Sequence, residues 1–479
     1  MSAVKSFLYA AALAALVLPG LAQAAPSAPA GPIRPDQAAF RDLYKELVET
    51  NTTLSSGDCT LAASRMAARL KAAGYPDADL HPFQAEGHPK EGGLVAVLHG
   101  TDPKEKAVLL LAHIDVVEAR REDWVRDPFT LIEEGGYFYA RGASDDKAEA
   151  AIWVDTLIRL RQQGFKPRRD IKMALTCGEE TASAFNGAGY LATHERELID
   201  AAFALNEGAG GMLDDNGKPV ALNIQAGEKF PQDYRLEVTN PGGHSSRPSK
   251  NNAIYHLAAA LTRISQYDFP IETTDASRAF FARMAPLTGG ELGAAMAAFA
   301  KDPTDAKAIA VLENDPGANG MIHTTCVATM LDGGHATNAL PQRARANINC
   351  RIFPGTTTAE VRETLEKLVA DPQVKVTTLG ARSEVTKGPP SLTPQIMKPI
   401  ETVAGRMWPG VPIIPLLQPG ATDGAFLSPV GIPTYGLSGI FSDRSGNGVH
   451  GLNERILVKS LYDGRDFLFD LVKIYATQK

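Results

Sequence analysis

Ala107-Val-Leu-Leu-Leu-Ala-His-Ile-Asp115 is where the fold declares itself. An apolar run of strand length suits a strand covered on both faces, as strands of parallel sheets are, and is too short for a buried helix. It ends on a His-x-Asp pair. Downstream, Ala148 to Gln163 has the length of a helix, Ile171 to Thr176 is a further short apolar run, and Ala202 to Leu205 another. This alternation predicts an α/β domain built on a largely parallel sheet. Upstream, Phe40, Leu43, Tyr44, Leu47 and Val48 recur at helical spacing, so the ordered chain is expected to open with an amphipathic helix.

The period changes after residue 229. Tyr234, Leu236 and Val238 alternate with Arg235, Glu237 and Thr239, the pattern of a half-exposed strand. Ile254, Leu257, Ala258, Leu261 and Ile264 form a helical stripe. Alternating strands follow near Thr324 to Leu331 and Arg343 to Ile352. Thr357 and Glu360 make a capping box for a helix to about Ala370, and Val374 to Thr378 reads as a last strand. Strand, helix, two strands, helix, strand is a ferredoxin-like α+β unit. It carries an extra helical segment, Ser277 to Leu312. The α/β pattern resumes after about residue 386, so residues 230–385 read as a domain inserted between 36–229 and 386–479.

At the N-terminus, Lys5, the apolar stretch Phe7 to Leu18 and Ala22-Gln-Ala24 predict a signal peptide over residues 1–24. A flexible lead-in rich in Ala, Pro and Gly is expected over 25–35. The apolar stretch falls short of the ~20 residues a membrane-spanning helix needs. A periplasmic or secreted protein with no membrane span in the mature chain is therefore expected. The net charge of −7 argues against nucleic acid as a partner. Four cysteines are too few for a disulfide scaffold in a chain this long, and the absence of Cys-x-x-Cys spacing argues against a thiolate zinc site. Cys326 and Cys350 are the first pair to consider for a disulfide, with free buried thiols an equal alternative.

The chemistry sits where strands end. In parallel sheets ligands collect outside the carboxyl ends of strands. His113 and Asp115 follow the first strand; Asp145 and Asp146 precede the helix; Glu179 and Glu180 follow the next strand; Glu207 follows another. His450 lies in the glycine-flanked loop Gly448-Val-His-Gly451. Singly, each has an ordinary reading as a loop charge or helix cap. Together they bring histidines and carboxylates to one sheet edge, and zinc binds both.

These pieces resemble, in order and surroundings, the co-catalytic zinc peptidase family of aminoacylases, glutamate carboxypeptidase, carnosine-type dipeptidases, Gly-Xaa carboxypeptidase and succinyl-diaminopimelate desuccinylase. The resemblance runs from about residue 40 to the C-terminus. It implies two zinc ions, with manganese or cobalt as possible substitutes, held by His113, Asp145, Glu180, Glu207 and His450, with Asp145 bridging. Glu179 would be the general base, and Asp115 would orient His113. The inserted domain would be a lid and dimerisation domain. There, Asn240-Pro-Gly-Gly-His244 resembles the lid motif whose histidine reaches a partner subunit's site. Asn338 and Arg351 resemble residues that bind the substrate carboxylate, although Arg351 also lies on the polar face of an alternating strand. Asp423 and Ser438 match pocket-lining positions. Glu118, Ala148 and Asn206 depart from the usual family residues without removing a ligand.

The implied reaction is hydrolysis of an amide next to a free α-carboxylate: a dipeptide, a peptide C-terminus or an N-acyl amino acid. Two other readings are weaker on the sequence. A non-catalytic carboxylate-binding protein would have no need of Glu179, and a di-metal phosphatase would want phosphate-binding basic or glycine-rich elements that are not evident. No Gly-x-Ser-x-Gly elbow is present for serine hydrolysis.

Overall fold

The computed structural model describes residues 33–181, 185–380, 388–418 and 420–479. The expected signal peptide, residues 25–32 of the lead-in and the 385/386 boundary lie outside them. Strand Val108–His113 is buried along its whole length. Ile171–Thr176 and Phe203–Asn206 run parallel on its two sides. They form the middle of a ten-stranded sheet. Thr434–Gly436 continues the parallel block, and Gly93–Leu98 with Leu80–Phe83 closes the opposite edge antiparallel.

Period-2 alternation explains why both faces are apolar. Leu110, Ala112, Met173 and Leu175 share a core with Trp153 and Leu157 of helix Lys147–Gln162 and Leu468 of helix Val458–Thr477. Leu109, Leu111, Ala174 and Ala204 pack on the other face with Ala188 and Leu191 of helix Gly187–His194. The sheet is thus a doubly covered α/β layer whose carboxyl edge is free to carry a site.

One extended ribbon leaves this sheet. Pro219–Glu228 belongs to it, and beyond Lys229 the strand Phe230–Thr239 belongs to a separate four-stranded sheet. That sheet runs in the order Thr325–Gly333, Arg343–Ile352, Phe230–Thr239, Val374–Leu379, antiparallel throughout. Helices Ala253–Ser265 and Thr358–Val369 cover one face through Leu257, Ile264, Val361 and Leu365. This is the ferredoxin-like arrangement, and Thr357 and Glu360 form the reciprocal cap. The extra segment is a set of helices between Asp275 and Gly320 gathered around Phe281 and Phe299.

Lys229, at the joint, is buried, and its Nζ donates to the carbonyls of Gly320 and His323 at 3.0 and 2.7 Å. Two further elements complete the domain: helix Cys59–Ala72, whose Cys59, Ala62, Ala63, Met66 and Leu70 recur at helical spacing on its buried face, and a small sheet of Ile132–Glu134, Tyr137–Tyr139 and Arg455–Leu457. All four cysteines are paired. Cys326 and Cys350 face each other across neighbouring strands, Cα atoms 4.0 Å apart. The other pair, Cys59–Cys177, was not anticipated.

Candidate metal centre

The strand Val108–His113 delivers His113 to the carboxyl edge with its ring buried. Its Nδ1 lies 3.1 Å from the Asp115 carbonyl and 3.6 Å from Asp115 Oδ1. That leaves Nε2 facing Asp145 Oδ1 at 3.0 Å and Glu207 Oε1 at 3.7 Å. Glu207 follows the parallel strand Phe203–Asn206. On the far side of Asp145, His450 Nε2 lies 3.2 Å from Asp145 Oδ2 and 2.9 Å from Glu180 Oε2. His113, Asp145 and Glu207 thus make one group of possible ligands, and Asp145, Glu180 and His450 another. Asp145 is common to both and turns one oxygen to each.

The donor set fits divalent cations. Neighbouring ligand atoms around a tetrahedral zinc with ~2.0–2.1 Å bonds lie about 3.3 Å apart, the scale of the separations above. The two positions differ in access. His113 is buried and His450 exposed, so one lies deep and the other opens to solvent.

Backbone hydrogen bonds fix the carboxylates. Asp115, itself buried, accepts the N–H of Glu179 at Oδ1 (3.3 Å) and of Glu180 at Oδ2 (3.1 Å), besides its place beside His113. Asp423 accepts from Thr176 Oγ1 and Asn186 Nδ2, both at 2.7 Å, on either side of the glutamate pair. Glu454 accepts the N–H groups of Gly142, Ser144 and Asp145 and the guanidinium of Arg141. It holds the Asp145 loop in place, yet one acid in the loop after His450 gave no sequence signal. Lys147, also buried, donates to the Thr50 carbonyl at 2.7 Å, and burial pushes it down to about 7.

Crowding of acids in a dry site sets the charge state. Burial pushes Glu179 up to about 8, against the pull of His113 and with Asp423 adding to the rise. Burial pushes Glu180 up to about 7 and drives Glu207 well above the carboxylate range. Asp145 is buried too, but His113 and His450 hold it below its usual value. Burial opposes charging of His113, yet Asp115 and Asp145 lift its pKa well above normal, and Asp145 foremost raises His450 to about 9.

Between about 4.5 and 8 the folded metal-free protein holds carboxyl protons that the unfolded chain has lost, and above about 6.5 its histidines do the same. Stability of the metal-free protein should therefore fall as pH rises from about 5 to about 7, above which the depressed Lys147 acts in the opposite direction. A cation in the site replaces those protons. Thermal unfolding of chelated and metal-loaded protein across that range checks this: the two curves should diverge with pH, and parallel curves would contradict it.

The structure brings His113, Asp145, Glu180, Glu207 and His450 together, with Asp115 and Glu179 beside them. His244 and Asn338 sit elsewhere, on the inserted unit. His244 is exposed on a short strand paired with Ala339–Leu340, and its Nδ1 accepts from Ser246. The Asn338 carbonyl accepts the N–H of Ser245. Arg351 lies half-buried on strand Arg343–Ile352, and among the described residues no carboxylate pairs with it.

Fold and donor set define a class, the α/β metallohydrolases whose ligands gather at the carboxyl edge of a parallel sheet. Within that class the chain belongs to peptidase family M20/M25/M40, which matches residues 109–474. It is 31% identical over 388 residues to human N-fatty-acyl-amino acid synthase/hydrolase PM20D1, covering 78% of this chain and 75% of the relative. Carboxypeptidase S of Saccharomyces cerevisiae is 32% identical over 291 residues, 57% of this chain and 50% of that protein. The M20 metallo-carboxypeptidase Sso-CP2 from Sulfolobus solfataricus shares the fold, with a TM-score of 0.68 at 20% identity, over 91% of this chain and 99% of that one. The protein is a metal-dependent hydrolase acting on amide bonds.

Proposed function

We propose that the protein is an exported, dimeric di-zinc hydrolase that cleaves an amide bond adjoining a free α-carboxylate. The observation that carries this reading is the pair of ligand groups sharing Asp145, with Glu179 beside them and outside both. Two divalent cations held there would polarise the substrate carbonyl and bring the pKa of a water toward neutrality. Glu179, held by Asp115 through its backbone, takes the proton from the attacking water and returns it to the leaving amine. That return matters because an amine anion is a poor leaving group. Zinc is the metal best matched to imidazole and carboxylate donors with a position open to solvent.

The substrate's carboxylate is assigned to Arg351 and Asn338. A guanidinium pairs a carboxylate through two parallel hydrogen bonds, which lysine cannot reproduce. Arg351 lacks an acidic partner among the described residues, and two of the relatives are named for substrates that are acids: a carboxypeptidase and an N-fatty-acyl-amino acid hydrolase. The test is a panel of dipeptides and N-acyl amino acids beside the same compounds with the carboxyl group amidated. Cleavage of the free acids, with Arg351→Lys raising KM about 10-fold or more for them, is the expected result. Equal cleavage of the amidated compounds would remove Arg351 from this role.

Dimerisation is supported by the outer edge of the inserted sheet. Val327, Met330 and Leu331 of the edge strand are exposed, as are Ile254 and Tyr255 of the helix beside it, an apolar surface of the kind that marks an interface. His244 then serves the partner's site. Mixing His244→Ala with Glu179→Gln should restore activity through subunit exchange; no recovery with exchange demonstrated would contradict this. Export is supported by two disulfides, which persist in oxidising compartments. Fractionation of cells for the processed chain tests it, and unprocessed cytosolic protein would overturn it.

A further inference from the structure

The Cys59–Cys177 disulfide ties together two parts of the centre that also share one apolar core. Cys177 directly follows strand Ile171–Thr176 and stands two residues before Glu179. Cys59 heads helix Cys59–Ala72 at the end of a segment that braces the histidine side. In that segment Thr52 Oγ1 donates to the Ile114 carbonyl at 2.6 Å, the Thr52 carbonyl accepts Val116 N–H at 3.4 Å, and Thr50 accepts Lys147.

A pocket of about 170 Å³, partly open to solvent and lined by Thr52, Thr53, Cys59, Asp115, Cys177 and Gly178 among others, lies beside the residues on either side of the glutamate pair. The covalent link lines this pocket. The cavity also brings the disulfide, whose cysteines are otherwise buried, within reach of a small thiol.

We propose that the Cys59–Cys177 disulfide is a positioning element for Glu179, so that full activity requires its oxidation. This rests on the reading of Glu179 as the base. The bond forms by thiol–disulfide exchange: the two protein thiols give up two electrons and two protons to a small disulfide oxidant, which leaves as two thiols. A chain still in a reducing compartment therefore holds its glutamate loop by hydrogen bonds alone and is a poor enzyme until oxidised.

The test compares kcat and KM of the oxidised protein, the Cys59→Ala/Cys177→Ala variant and the protein reduced with dithiothreitol, all metal-loaded and well below their unfolding temperatures. A misplaced catalytic group of this kind lowers kcat by about 10- to 100-fold. The expected result is that fall in both altered forms, with metal content and KM close to normal, recovery of the reduced protein on reoxidation, and no response of the double variant to dithiothreitol. The last arm separates disulfide reduction from capture of metal by the reagent. Unchanged kcat in the folded double variant, or in protein whose four thiols are titrated as free, overturns the inference. Glu179→Gln measured alongside separates the two claims. Inactive there with an unimpaired double variant, the disulfide role alone fails; active there, the base assignment fails.

Discussion

Glu179→Gln is expected to bind metal normally and to turn over ~10²–10⁴-fold more slowly, the usual weight of a general acid–base group. The substitution is nearly isosteric, and the backbone N–H of residue 179 still reaches Asp115, so the loop keeps its anchor. Neither group of possible ligands includes Glu179. What is lost is the carboxylate that accepts a proton from water and the carboxylic acid that returns it to the amine. The loss should fall on kcat, with KM little changed, because the group acts in the transition state. Steady-state kinetics with parallel metal analysis decides it: near-normal kcat would remove Glu179 from the reaction.

Asp145→Ala should do more, reducing hydrolysis to the chelated background. Asp145 is common to both groups, facing His113 through one oxygen and His450 through the other. Its removal leaves each position a histidine and one glutamate, too few for a tight site. Glu207→Ala, which touches one group alone, should keep the other metal more readily. Elemental analysis of the two variants distinguishes them, and an Asp145→Ala protein with full metal would refute the bridging role.

The parallel sheet was legible because its strands are covered on both faces and so read as unbroken apolar runs, as Val108–His113 does. The inserted sheet was legible for the opposite reason: one face is exposed, so Phe230–Thr239 and Arg343–Ile352 alternate. Helix Cys59–Ala72 keeps helical spacing through Cys59, Ala62, Ala63, Met66 and Leu70, but small alanines make that stripe faint, and the three-residue strands of the small sheet are too short to show a period.

The candidate site was readable to the extent that His113, Glu180 and Glu207 follow strands and the remaining candidate ligands come in recognisable order. Glu454 was not, because its work is to accept hydrogen bonds from segments distant in the chain, and a single loop acid carries no trace of that; Asp423 stood out only through the family resemblance, which did not point to its bonds with Thr176 and Asn186. The cysteine pairing shows the same limit. Cys326 and Cys350 flank one strand pair and suggest themselves, whereas Cys59 and Cys177, 118 residues apart, are joined only by the fold.

The most direct measurement is the metal-to-chain ratio of the purified protein, with hydrolysis of an N-acyl amino acid followed before chelation, after it and on restoring zinc. The account predicts about two zinc ions per chain, activity lost with them and regained on reconstitution. A folded protein that binds no divalent metal after reconstitution, or one that cleaves equally well without it, would contradict the account at its centre.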